Sequence, residues 1–150
     1  FGVEGEGAAL ALAERIVRAA GGTALPVHSG EKAAYHAAAV FASNFLVSLL
    51  AVAERLMARA GVPPEGVREA LVQLAEGAVE NVRDHGPVHA LTGPVVRGDV
   101  DTVRLHLSRL SGDERALYSL LAREALSLAR ERGVAPEAAA RMGELLGENG

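Results

Sequence analysis

Ser29-Gly30-Glu31-Lys32-Ala33-Ala34-Tyr35-His36-Ala37-Ala38-Ala39-Val40-Phe41-Ala42-Ser43-Asn44 is where the chain changes character. Before it, apolar residues come in short runs between glycines. From it onward they recur at helical spacing. No proline interrupts residues 30–60, and Gly61 closes the run. At about 1.5 Å per residue this predicts one helix roughly 45 Å long. Between Ala33 and Ala53 there is no charged residue, and apolar positions go all the way round. A helix apolar on every face is either buried centrally or crosses a membrane. His36, Ser43, Asn44 and Ser48, among many alanines, favour the first. The expectation is a central helix surrounded by others, with small residues that allow close approach, a symmetry mate included.

Toward the N-terminus, Phe1-Gly2-Val3-Glu4-Gly5 reads as a short strand. Leu10, Ala13, Val17 and Ala20 then mark a helix from about Gly7 to Ala20, stopped by Gly21-Gly22. Thr23-Ala24-Leu25-Pro26-Val27 reads as a second strand, at an edge because Pro26 cannot donate to a ladder. Together these form one βαβ step. A sheet does not stand on two such strands, and the chain begins at Phe1 inside one of them. Both points lead to the expectation that this is part of a longer protein.

Toward the C-terminus, Pro63-Pro64 opens a helix with Pro64 near its first turn. Its predicted buried stripe is Val67, Leu71, Leu74, Ala78 and Val82, and it is expected to end near Gly86. A loop from His85 to Pro94 follows. Asp99 or Asp101 can cap the next helix, with stripe Val103, Leu107 and Leu110. Ser111-Gly112-Asp113-Glu114 fits a capping box for a helix buried through Leu117, Leu120, Leu121, Ala125 and Leu128 and stopped by Gly133. Pro136 opens a last helix ending near Leu146, and Gly147-Glu148-Asn149-Gly150 is expected to fray.

Composition narrows the function classes. The 150 residues include no cysteine, which excludes disulfide scaffolds, thiol catalysis and thiolate zinc sites. A net charge of −4 argues against a general nucleic-acid binder. There is no HExxH, GxSxG, GxGxxG or GxxxxGK[ST], and no signal peptide is expected. Neither a metal nor a nucleotide site is therefore expected within this chain. Lys32 is the only lysine among 15 basic residues, in a composition that otherwise favours arginine.

Two clusters can carry chemistry. Lys32 and His36 lie one turn apart, Ser43 falls near the same angular position on a continuous helix, and Asn44 flanks it. A lysine can polarise a carbonyl, a histidine can pass a proton, and an asparagine can orient a polar group. Equally, Lys32 can sit on an exposed first turn while His36 and Asn44 satisfy neighbouring helices. The second cluster is Leu91-Thr92-Gly93-Pro94-Val95-Val96-Arg97-Gly98-Asp99, followed by Thr102, His106 and Arg109. Arg97 can clasp a carboxylate or phosphate, or Arg97 and Asp99 can simply cap helix ends. The tripeptide Arg97-Gly98-Asp99 matches an adhesion sequence, but three-residue matches arise often by chance.

The run from Lys32 to Asn44, the run Ala90–Asp99, and His106-Leu107 with Leu117-Tyr118 resemble a bacterial family. Its members pair an N-terminal Rossmann domain with a C-terminal helical domain of unknown function. The resemblance covers about residues 1–130. The family is similar to pyrroline-5-carboxylate reductase, ketopantoate reductase and the 6-phosphogluconate dehydrogenase group. The resemblance implies a mainly α fold: a helical bundle of the 6-phosphogluconate dehydrogenase C-terminal type with a central long helix. Residues 1–28 would be the end of the Rossmann domain, and residues 29–150 a substrate and dimerisation domain. Lys32 and Asn44 resemble in type the lysine and asparagine that serve the substrate in ketopantoate-type enzymes, at a wider spacing. The Thr92–Asp99 loop would face the same cleft.

The expected function is that of the substrate side of an NADP- or NAD-dependent oxidoreductase acting on a small carbonyl or imine compound. Lys32, His36 and Asn44 are the expected catalytic residues. Ser43, Thr92, Arg97, Asp99 and His106 are expected to bind substrate, with Arg97 holding an anionic substituent. The cofactor would bind outside this chain, which alone would be inactive. The expected protein is a cytoplasmic homodimer that engages neither nucleic acid nor membrane. The alternative is a non-catalytic dimerisation or regulatory module of a nucleotide-sensing Rossmann protein.

Overall fold

The computed structural model describes residues 1–148 and is mainly helical after a short βαβ step. Strand β1 (Gly2–Val3) lies parallel to β2 (Leu25–Pro26), with Gly2 opposite Leu25 and Val3 opposite Pro26. The Leu25 N–H donates to the Phe1 carbonyl and the Val27 N–H to the Val3 carbonyl, each at 2.8 Å. Pro26 thus sits where its missing donor leaves no gap in the ladder. Helix α1 (Gly7–Ala19) forms the crossover. The chain divides into two compact units, the first spanning Phe1–Arg55 and the second beginning at Leu56.

The predicted long helix is broken in two: α2 spans Lys32–Ala42 and α3 spans Asn44–Arg59. Ser43 leaves helical geometry at φ −124° and ψ −70°. Its hydroxyl donates to the Ala39 carbonyl at 2.6 Å. A hydroxyl bonded to the carbonyl one turn back competes with the helical ladder and bends it. Neither helix has a buried residue, so the expectation of a core helix surrounded by others is not met within the chain. Phe41 is 70% exposed and Val47 68%. By length and composition Lys32–Arg59 could also cross a membrane.

The second unit holds the larger core. Helix α4 (Val67–Ala90) begins after Gly66, which takes a left-handed conformation, so Pro64 lies in the preceding turn. The first stretch of this helix ends at Gly86, as the sequence predicts, but a second stretch through Ala90 takes the place of the first part of the predicted loop. Gly86 leaves helical geometry (φ 71°, ψ 165°), and Pro87 opens the second stretch, in a first turn where an N–H is not needed. Of the predicted stripe only Leu71 is buried, and Leu74 is 69% exposed. Helices α5 (Val100–Arg109), α6 (Gly112–Arg132) and α7 (Pro136–Leu146) pack around Val103, Leu107, Leu126, Ala129 and Met142. The buried seam of α6 is Ala122, Leu126 and Ala129, whereas Leu120 and Leu121 are exposed. The two alanines let α7 approach closely, which the larger leucines would prevent.

Polar contacts fasten the ends of these helices. Ser111 precedes α6 in extended geometry, but its side chain makes no cap bond, so the predicted capping box does not form. Glu114 pairs instead with Arg59 at 2.6 Å. Gly133 ends α6 and Pro136 opens α7 as the sequence predicts. Gly147 caps α7, and Glu148 takes two hydrogen bonds from Arg130, at 2.6 and 3.3 Å. Those two residues are held rather than frayed, and Asn149 and Gly150 lie outside the described residues. Hydrogen bonding to Glu148 raises the Arg130 guanidinium above its ordinary value.

Candidate functional site

A cluster of side chains in the first unit lies at the carboxyl ends of its two parallel strands. Glu4 directly follows β1, and Val27 directly follows β2. Lys32 opens α2, and its Nζ lies 2.6 Å from Glu4 Oε2. His36 is one turn further along the same helix. Together with Val3 and Tyr35 these side chains line a pocket of about 260 Å³. The pocket has apolar walls, one cation, one anion and one imidazole.

Lys32 extends into solvent, with its side chain 75% exposed, while Glu4 is more enclosed. Hydrogen bonding from Lys32 holds the Glu4 carboxyl below the usual carboxylate range, and the lysine's charge and the Ser29 hydroxyl act in the same direction. Glu4 is thus an anion fixed at the strand end, and it holds the flexible lysine arm in one place. An ammonium has three donors, so pairing with one carboxylate oxygen leaves others for a ligand. Gly2 forms the floor. A β-carbon there would meet the Tyr35 ring at 2.7 Å, so the ring can lie against the strand only where no side chain intervenes.

The structure brings Lys32 and His36 into one pocket. Ser43 and Asn44 are not among its lining side chains. They occupy the break between α2 and α3, where the Ser43 hydroxyl lies 2.9 Å from Asn44 Oδ1. The groove predicted from Lys32 to Asn44 depended on a continuous helix, and the break divides it. Glu4 was missed in the sequence reading. Its signal was its place immediately after an apolar strand in a parallel pair, the edge where open α/β sheets bind ligands.

The second cluster belongs to the other unit, and much of it is architectural. Asp99 caps α5, accepting from the Thr102 N–H at 3.0 Å and the Thr102 hydroxyl at 2.7 Å. The Thr102 hydroxyl, then its N–H, then the charges of Arg97 and His106 lower the Asp99 carboxyl from its ordinary value. Val95 is buried in the core. Gly98 has a φ of 69°, and a β-carbon on it would meet the Ala138 side chain at 2.8 Å, so it is required on both counts. Arg132 donates to the Leu91 carbonyl at 2.6 Å and fixes the start of the turn. Thr92 and Arg97 remain exposed on it. His106 Nδ1 lies 2.9 Å from the Tyr118 hydroxyl, with the rings edge to face.

The cap has a testable pH signature. A carboxyl lowered by folding stabilises fully above its unfolded value and loses that contribution as pH falls through the folded one. Asp99→Ala is expected to lower the melting temperature by a few degrees at pH 7. The difference from wild type should disappear in acid below the carboxylate range. Circular dichroism melts at several pH values measure both.

Comparison with known proteins places the chain. Among the curated proteins none matches. The crystal structure of protein TM1727 from Thermotoga maritima is similar, with a TM-score of 0.75 and 31% identity over 88% of this chain. The match covers 53% of that protein's chain, so this chain spans about half its length. The profile of a family described as a domain of unknown function, DUF2520, matches residues 1–125, a range that takes in the strand-end pocket, the Thr92–Asp99 turn and the His106–Tyr118 pair. The chain therefore belongs to the DUF2520 family.

Proposed function

We propose that this chain is the substrate side of an NAD(P)-dependent oxidoreductase that acts on a small carbonyl or imine compound. The observation that carries the reading is the Glu4–Lys32 pair with His36 beside it, at the carboxyl ends of parallel strands. Lys32 donates a hydrogen bond to the carbonyl oxygen or imine nitrogen. That bond strengthens as negative charge gathers there. His36 is the second group on the pocket wall able to hold or deliver a proton. Glu4 positions the ammonium.

The chain's own residues do not fit the phosphates of a dinucleotide, because no strand here runs into a GxGxxG turn. The nicotinamide, which supplies or accepts the hydride, is therefore assigned to a Rossmann domain of the longer protein, and residues 1–28 to its last part. The exposed apolar face of α2 and α3, with Phe41, Phe45 and Val47, supports a homodimer through this face.

Two measurements test the reading. The full-length protein should bind NADPH or NADH and oxidise it with members of a panel of small oxo acids and cyclic imines. A protein that binds neither dinucleotide contradicts the proposal, and one that binds without any turnover favours a sensor. Sedimentation should give a dimer that Phe41→Glu dissociates, and a strict monomer at high concentration contradicts the interface.

A further inference from the structure

The second unit contains a further pocket, and of its lining residues only His106 was expected to serve the hydride-transfer substrate. It has a volume of about 460 Å³, within the common range for small-molecule sites. Leu56, Leu105 and Leu110 supply apolar walls, and Tyr118 contributes its ring. The polar groups are few and grouped: His106, the Tyr118 hydroxyl and Arg109. Arg109 makes no ion pair among the described residues, whereas the nearby Arg59 and Arg104 are both paired with carboxylates.

The His106–Tyr118 hydrogen bond orients the imidazole. Burial raises the Tyr118 phenol above its ordinary value, which keeps it neutral and able to donate. A phenol donating to Nδ1 leaves the ring proton on Nε2, so His106 presents an N–H donor. Arg109 lies one turn closer to the C-terminus of the same helix. A guanidinium and an imidazole N–H beside apolar walls are complementary to a carboxylate on an apolar body.

We infer that Leu56, Leu105, His106, Arg109, Leu110 and Tyr118 form a binding site for a small carboxylic acid with an aromatic or branched apolar body. The body fills the leucine-walled space, and the carboxylate meets Arg109 and the His106 Nε2–H. The site lies wholly within the second unit and does not rest on the hydride-transfer reading.

The test uses 3-phenylpropionate and its uncharged amide, titrated into the full-length protein. The signals followed are the His106 ring in nitrogen-15 NMR and tyrosine emission, with Tyr35→Phe leaving Tyr118 as the emitter of this chain. The acid should bind saturably and shift the His106 signals. The amide should bind at least about tenfold more weakly, as should the acid to Arg109→Gln, for loss of a charge-assisted bond. Arg141→Gln, an exposed arginine on α7, should bind like wild type. No saturation of the His106 or Tyr118 signals by about 10 mM acid, a concentration well above that of metabolite-like affinity, overturns the inference. So does equal binding of acid and amide, a comparison that needs no variant.

Discussion

Replacing Lys32 by methionine in the full-length protein is expected to lower kcat/KM by about 10²–10⁴-fold, the usual range for a positioned proton-transfer group. Methionine keeps the length and the apolar stem and removes only the ammonium. Because Lys32 is largely exposed and pairs with Glu4 alone among the described residues, the fold should survive, and circular dichroism should show no loss of helix. Glu4→Gln separates donor from positioner. The lysine remains but is no longer held, so the loss should be smaller and appear mainly in kcat. Equal losses in both variants would mean that the pair acts only as a structural tie. Unchanged kcat/KM in Lys32→Met would remove Lys32 from the chemistry altogether.

The second large effect concerns the core. Leu126→Ala should destabilise the second unit by about 2–5 kcal/mol, the range for emptying a fully buried leucine site. That is a large share of the about 5–15 kcal/mol that holds a typical domain folded. Leu126 is 0% exposed and sits on the α6 seam against α7. Leu120 lies on the same helix but is 56% exposed, so Leu120→Ala should change stability by only about 0.5 kcal/mol. Denaturant melts of the two variants compare the buried seam directly with the one that the leucine pattern suggests. Similar losses at both positions would show that α6 is turned otherwise.

That pair shows where the sequence could be read and where it could not. Helix ends were legible, because Gly133, Pro136 and Asp99 act through local geometry that does not depend on distant partners. Helix faces were harder. Hydrophobicity drew the α6 stripe through Leu117, Leu120 and Leu121, but close packing against α7 selects Ala122 and Ala129 beside Leu126. On α4 and on the long apolar run there are more apolar positions than the chain itself covers, so periodicity alone overstates burial.

The candidate site divides in the same way. Lys32 and His36 were legible as a pair because one helical turn joins them. Ser43 and Asn44 were placed with them only by assuming a straight helix, and the Ser43 hydroxyl is what bends it. Glu4 had no local mark. A glutamate after a short strand is ordinary until the fold brings a lysine from far along the chain to its carboxylate. In the Thr92–Asp99 run, residues read as possible ligands proved partly architectural, since Asp99 has both oxygens engaged by Thr102 and Gly98 is fixed by Ala138.

Lys32 is the only lysine of this chain, so lysine labelled with nitrogen-15 reports its ammonium directly. In the full-length protein, that signal is identified by its loss in Lys32→Met. It should shift saturably when an oxo acid or cyclic imine that supports turnover is added with oxidised dinucleotide, and the same substrate should shift it less in Glu4→Gln. A Lys32 signal that stays in place while dinucleotide and substrate demonstrably bind would contradict the assignment of the strand-end pocket to the substrate.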